Sequence, residues 1–280
     1  MIKEKAYAKI NLFLNVLSKR LDGYHEMEMV MAPLNLHDVL KFEKLEEDKI
    51  EVVTNKEITA KYTDNLVYKV ASFIKSEFEI ESGVRIHVEK NIPIAGGLAG
   101  GSADAAATIR GLNRLFGLGM NTEKMAQLGV GFGADVPFCV HNKLAIVRGI
   151  GEKLHFLNTK FKTYVLLVNP KVPVLTKSVF ENLDPKEFGQ KNYTNLIEGL
   201  KDKDISRVIN NLYNFMEPTT FKLEPKVKEL KDEIQEMGTK GVLMSGSGST
   251  IFVICRKKKL LEDIIDGLSE NYLTIITKTF

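Results

Sequence analysis

Apolar and polar residues alternate near the start of the chain. Ala6, Ala8, Ile10, Leu12, Leu14 and Val16 fill the even positions, while the odd ones include Tyr7, Lys9, Asn11 and Asn15. A period of two predicts a strand over residues 6–17, with Lys9 and Asn11 sharing the face opposite the core. Strands are also predicted over 30–42, 50–53 and 83–90, the last because Val84, Ile86 and Val88 alternate with Arg85, His87 and Glu89. Elsewhere the period becomes helical. Leu66, Val70, Phe73, Ile74 and Phe78 make one face, with Asp64 as its cap, and Ala105, Ile109, Leu112 and Leu115 or Phe116 make another. A short helix over 122–128, a glycine-punctuated turn and a hairpin over 144–157 follow.

The second half opens with an apolar strand over 164–168. Helices are predicted over 176–183, 194–200 and 205–214, then a well-marked one that Pro225 opens and Gly238 closes, with Val227, Leu230, Ile234 and Met237 as its stripe. Two strands flank the turn 244–250, and a helix from about 260 and a strand over 272–277 complete the chain. No repeat is visible and both element types alternate throughout, which predicts an α+β protein whose second half sets helices against an antiparallel sheet. The polar stretch around Lys160 divides the chain into expected domains 1–160 and 161–280.

Composition narrows the class. At 280 residues, 44% hydrophobic and 27% charged, the chain can bury a core and is neither disordered nor fibrous. The excess of 39 basic over 36 acidic residues is small and dispersed. It gives no case for nucleic acid and suits small anions. Cys139 and Cys255 lie in apolar runs and read as reduced core thiols. Residues 1–10 hold no apolar signal segment, no stretch approaches the ~18 apolar residues of a membrane helix, and the five histidines match no zinc motif. A cytoplasmic protein without a membrane partner is expected.

Candidate chemistry concentrates in residues 91–110, NIPIAGGLAGGSADAAATIR. Pro93 ends the preceding ladder, Ser102 is expected as the helix cap, and Gly96, Gly97, Gly100 and Gly101 let peptide N–H groups approach a phosphate at the positive end of a helix. The glycines alone equally describe a flexible connector. The serine and the alanine-rich helix favour phosphate. Neither a Walker loop nor G-x-G-x-x-G fits. Asp104, expected at the second helical position, would repel a triphosphate unless Mg2+ or a lysine intervenes.

Other positions leave alternatives open. Lys9 on an outer strand face is ordinarily solvated. The Asp22-Gly23 turn presents Tyr24 and His25, an arrangement that plain hairpin chemistry also explains. Asp135 is either a turn or capping residue, the usual case, or a poorly solvated base. Residues 245–250, SGSGST, form either a tight hairpin or a second set of backbone donors for an anion.

Taken together, AKINLFLNV, PIAGGLAGGSADAAA, GADVPF and LMSGSGST, in that order, resemble the GHMP kinase superfamily. The opening AKINLFL, the R-x-D-G-Y-H of residues 20–25 and GADVPF are most similar to the branch that phosphorylates the 2-hydroxyl of a methylerythritol carrying a cytidine diphosphate group, in non-mevalonate isoprenoid synthesis. The resemblance implies an N-terminal α/β domain with a left-handed βαβ unit and a C-terminal ferredoxin-like domain. It implies ATP with Mg2+, and Lys9 and Asp135 as the catalytic pair. Pro93, Ile94, Ala95, Gly96, Gly97, Leu98, Ala99, Gly100, Gly101, Ser102 and Ala103 would hold the triphosphate, with Asn65 and Lys90 near adenosine. Asn11, Tyr24, His25 and Phe180 match the substrate side, and Ser102 is the one metal ligand it suggests. A kinase of the same superfamily acting on mevalonate, homoserine or a sugar, and a catalytically silent nucleotide sensor, are the competing readings. R-x-D-G-Y-H argues against the first, and the presence of both Lys9 and Asp135 against the second.

Overall fold

The computed structural model describes residues 1–56 and 62–280. Two compact units are found. The first comprises Met1–Ala8, Leu36–Ile94 and Ala99–Asn142, the second Lys9–Asn35, Ala95–Leu98 and Lys143–Phe280. The long strands β1 (Ile2–Lys19) and β2 (His25–Leu45) each contribute residues to both. Residue 160 lies inside the second unit. No helix of the described residues is long and apolar enough to cross a membrane, and the two cysteines form no disulfide.

In the first unit, β4 (Gly83–Glu89) pairs antiparallel with the end of β2 and parallel with β3 (Ile50–Thr54). Helices α1 (Leu66–Glu77), α2 (Gly100–Phe116), α3 (Thr122–Gly129) and α4 (Val136–His141) complete it. Small residues bring α2 close to its neighbours. Ala103, Ala105, Ala106 and Ala107 are buried, and a Cβ on Gly111 would lie 2.3 Å from the Phe42 ring. The face of α1 is shifted from the expected one: Val67, Val70, Ala71 and Ile74 are buried, whereas Phe73 is 44% exposed and touches Phe132 edge-on. Its cap is Asn65, whose side chain accepts from Val67 N–H, and not Asp64.

The second unit pairs the start of β2 with β5 (Ala145–Gly149), which forms the expected hairpin with β6 (Lys153–Phe156). A four-stranded antiparallel sheet runs β11 (Leu273–Lys278), β7 (Tyr164–Asn169), β10 (Ile251–Cys255), β9 (Val242–Met244). Helices α5 (Thr176–Glu181), α6 (Thr194–Asp202), α7 (Ile205–Asn210), α8 (Glu217–Leu223), α9 (Pro225–Glu236) and α10 (Lys258–Gly267) accompany it. In α9 the stripe is Val227, Leu230 and Ile234, and Met237 is 39% exposed past the last turn. The helix expected over 205–214 stops at Asn210, because Tyr213–Asn214 (β8) pairs in parallel with Phe13 and Leu14 of β1. That pairing is long-range, so no local period announces it.

Candidate active site

β1 buries both of its faces over residues 8–16, which corrects the expectation of a solvated outer face. Lys9 is 4% exposed and Asn11 1%. The Lys9 ammonium donates to Asn11 Oδ1 at 2.7 Å and to the Gly97 carbonyl at 3.1 Å, while the Asn11 amide faces Met29 Sδ at 3.4 Å. A buried cation must be hydrogen-bonded to persist. These partners hold it against the glycine loop. Further along the same face, Phe13 meets the rings of Tyr193 and Tyr213, and the Asn15 amide donates to the Lys191 carbonyl.

The loop itself has an unusual backbone. Ala95, Gly97 and Ala99 all lie in the left-handed region, at φ 54°, 72° and 58°. Two of the three carry a Cβ, at a cost of about 1–2 kcal/mol each. Alternation of this kind turns successive N–H groups into a concave anion-binding nest. The expectation that Ser102 caps α2 is not met. The cap position belongs to left-handed Ala99, with no side-chain bond, and Ser102 is the third helical residue, half-buried. The N–H groups of Gly100, Gly101 and Ser102 thus have no intrahelical acceptor at the positive end of a 17-residue helix.

Residues 245–250 form a buried turn whose hydroxyls are committed internally. Ser245 Oγ donates to the Gly97 carbonyl at 2.9 Å, Ser249 Oγ donates to the Val172 carbonyl, Ser247 pairs with Thr176, and Thr250 accepts from Asn169. Asn214 donates its amide to the carbonyls of Met244 and Gly246. The turn packs so tightly on the loop that a Cβ on Gly97 would lie 2.0 Å from the Ser245 carbonyl oxygen. The tight turn, closed by the Ser245 and Gly248 N–H groups, also braces Gly97 and Lys9. Asn214 and Ser245 are supporting residues that only three-dimensional proximity reveals.

In the first unit, Lys90 is not presented to solvent. Its buried ammonium is paired with Asp38 and, at 2.6 Å, with Asp104 Oδ2. Asp38 also accepts from the N–H groups of Asn91 and Ile92. Both stems of the loop are therefore tied to one charged cluster. Asp104 is the fifth helical residue, not the second, and Lys90 is the lysine that offsets its charge. Burial pushes the Asp104 carboxyl up to about 7 against the pull of Lys90, and the Asp38 carboxylate pushes the same way. For Lys90 burial works downward, but the two carboxylates outweigh it and raise the ammonium. Asp104 Oδ1 has no hydrogen-bond partner among the described residues.

Asp135 stands at the N-cap position of α4, half-buried, and its carboxylate makes no capping bond. Its side chain does not cap, while the residue stands in the turn that opens α4. Ser102 Oγ borders the same turn, since a Cβ on Gly133 would lie 3.6 Å from it. Asn65 is 8% exposed at the start of α1.

His25, 9% exposed, stacks on Phe180 with ring centres 5.0 Å apart and meets Phe188 edge-on at 5.9 Å. Burial lowers its pKa, helped by the Lys19 charge, so the imidazole is neutral at pH 7 with one donor and one acceptor nitrogen. Tyr24, by contrast, is 59% exposed. The turn beneath it is pinned by Asp22, which accepts from Tyr24 N–H and pairs with Arg20.

The GHMP kinases N terminal domain model matches residues 65–143 and the GHMP kinases C terminal model residues 196–273. A putative 4-diphosphocytidyl-2-C-methyl-D-erythritol kinase of Staphylococcus epidermidis is 41% identical over 269 residues, covering 96% of this chain and 95% of its own. The 4-diphosphocytidyl-2-C-methyl-D-erythritol kinase of Bacillus cereus is 40% identical over 264 residues, covering 94% and 91%. A crystal structure of 4-(cytidine 5'-diphospho)-2C-methyl-D-erythritol kinase superposes with TM-score 0.84 at 30% identity, covering 99% of each chain. With the left-handed loop and its buried lysine, these likenesses establish that the chain belongs to the GHMP kinase family and, within it, to the 4-diphosphocytidyl-2-C-methyl-D-erythritol kinases.

Proposed function

We propose that the protein transfers the γ-phosphoryl group of ATP to the 2-hydroxyl of 4-diphosphocytidyl-2-C-methyl-D-erythritol, and that Lys9 and Asp135 carry the transfer. The hydroxyl oxygen attacks the γ-phosphorus as the bond to the β-phosphate oxygen breaks, the hydroxyl proton passes to Asp135, and ADP leaves. Lys9 steadies charge on the hydroxyl and on the transferring group. The observation that carries this reading is the hold on Lys9, an ammonium fixed by Asn11 Oδ1 and the Gly97 carbonyl at the loop itself. A cation already desolvated and positioned needs little reorganisation during the reaction.

The nest of residues 95–99 and the open N–H groups of α2 are the proposed triphosphate cradle, and Asn65 is assigned to the adenosine side. Lys90 acts there through the loop stems, since its ammonium is taken by Asp38 and Asp104. Neutral His25, which can donate at one nitrogen and accept at the other, suits the edge of a cytosine, with exposed Tyr24 as the stacking face. Phe180 supports the His25 ring in this scheme, and Asn11 orients Lys9.

Among the described residues no three His, Cys, Asp or Glu side chains gather around a common point. Mg2+ that accompanies ATP is held largely by phosphate oxygens and water rather than by a protein cage. Ser102 is the side chain proposed to reach it, and the ion when bound would screen the triphosphate oxygens.

ATP consumption across a panel of 4-diphosphocytidyl-2-C-methyl-D-erythritol, mevalonate, homoserine and galactose tests the assignment. Turnover confined to the cytidylyl substrate is expected. Efficient turnover of mevalonate or homoserine instead would overturn the substrate, leaving the kinase chemistry intact.

A further inference from the structure

A second charged feature lies in the second unit, at the far end of β10 from the buried turn 245–250. The five residues of β10, four steps of about 3.3 Å, place its ends about 13 Å apart. Beyond Cys255, a concavity of about 350 Å³ is lined by Lys160, Phe161, Lys162, Lys203, Ile205 and Arg256. Four of the six are cations and none is acidic. The formal excess of the entire chain is only +3, so this is a local concentration and not the average surface.

Neighbouring acids are spent elsewhere. Asp204 accepts from the N–H groups of Ser206 and Arg207 at the start of α7, and Asp202 pairs with Arg207. Next in sequence, Lys258 and Lys259 are matched by Glu262 and Asp263 one turn on. The four lining cations have no such match: among the described residues, no ion pair joins any of them to a carboxylate.

The backbone that carries them is fixed. Thr163 Oγ1 donates to the Cys255 carbonyl at 2.9 Å, and Thr279 Oγ1 donates to the carbonyl of buried Phe161. Lys203 ends α6 in the left-handed region at φ 57°, and the Arg256 guanidinium donates to its carbonyl. One edge of the guanidinium fork is thus anchored, leaving other N–H donors for a ligand. Like charges gathered over an apolar floor of Phe161 and Ile205 repel one another and focus their field into the concavity. An anion relieves both.

We propose that this concavity is a binding site for a small anion carrying two or more phosphate groups, separate from the ATP loop. Several charges are called for because four cations converge. Phosphate oxygens are favoured because the guanidinium fork matches them bidentately and lysine ammoniums add point charges.

The test titrates inorganic tripolyphosphate into full-length protein presaturated with a non-hydrolysable ATP analogue, followed by calorimetry. One further site is expected, weakening as NaCl rises from about 50 to 500 mM, as exposed charges are screened. Arg256→Ala and the double variant Lys160→Ala/Lys162→Ala should each weaken it at least about tenfold, the scale of losing one or two charge-assisted hydrogen bonds. Lys258→Ala/Lys259→Ala, outside the concavity, should bind within about twofold of the parent, as for surface changes remote from a site. No additional site in the parent protein would overturn the proposal, as would an equal loss in the control variant, which would mark general attraction to a basic surface.

Discussion

A Cβ on Gly97 would stand 2.0 Å from the carbonyl oxygen of Ser245, 148 residues away in sequence, while Ser245 Oγ donates back to the Gly97 carbonyl. The turn and the loop are therefore closed on each other at backbone contact, at a residue whose φ of 72° already disfavours a side chain. Gly97→Ala should lower stability by about 2 kcal/mol or more, from left-handed strain and overpacking combined. Gly101→Ala serves as the contrast. Its Cβ would meet only Leu66 Cδ1 at 3.5 Å, within a helix, so little loss is expected. Urea unfolding of both variants checks this, and equal stability of the two would contradict the close approach.

Asp135→Asn keeps the shape of the side chain and removes its basicity. The expected outcome is a fall in kcat of at least about 10²-fold with Kd for ATP held within a few-fold, since a general base acts on the chemical step. Near-normal turnover would remove Asp135 from the proposed mechanism.

The Asp38–Lys90–Asp104 cluster makes stability depend on pH. Asp104 is raised from 3.8 to about 7 in the fold, so the folded state retains its proton over a range where the unfolded chain has lost it. Its contribution is fully present below about pH 4 and is lost as pH rises through about 7. Asp104→Asn, neutral at every pH, should gain stability relative to the parent at pH 8 compared with pH 5. Denaturant midpoints at the two pH values measure this, and parallel curves would show that Asp104 is ionised throughout.

Tyr24→Ala tests the substrate side. Loss of about 1–3 kcal/mol of base stacking corresponds to a rise in KM for the cytidylyl substrate of roughly 5- to 150-fold, with ATP affinity unmoved. Free CMP should compete with substrate in the parent enzyme and much less in the variant. Inhibition assays settle it: an unchanged competition constant would exclude Tyr24 as the stacking face.

Much of the architecture was legible in the chain itself. The two-residue period of β1, the hairpin turning at residues 149–151, Pro225 and Gly238 bounding α9, and the glycines between β4 and α2 are local signals, produced by the repeat of the backbone and by residues with special φ. The loop stood out for the same reason, whereas Lys9 and Asp135 were ambiguous as residues and were singled out only by the resemblance of their motifs to a kinase family. Where pattern reasoning erred, the deciding partner was remote. Lys9 is buried where a carbonyl 88 residues on accepts a hydrogen bond from its ammonium. The partners of Lys90, on which the pattern was silent, are equally non-local: Asp38 and Asp104, 52 and 14 residues away. Ser102 lost the cap to Ala99 because the loop's alternating left-handed backbone sets where α2 begins, and Tyr213–Asn214 left its helix to pair with β1. Periodicity records which way a side chain points relative to its neighbours in sequence. Whether that direction meets water, a carboxylate or a carbonyl depends on chain segments brought together only by folding, so the identity of the chemical groups came from the sequence and their ionisation, burial and orientation from the tertiary structure.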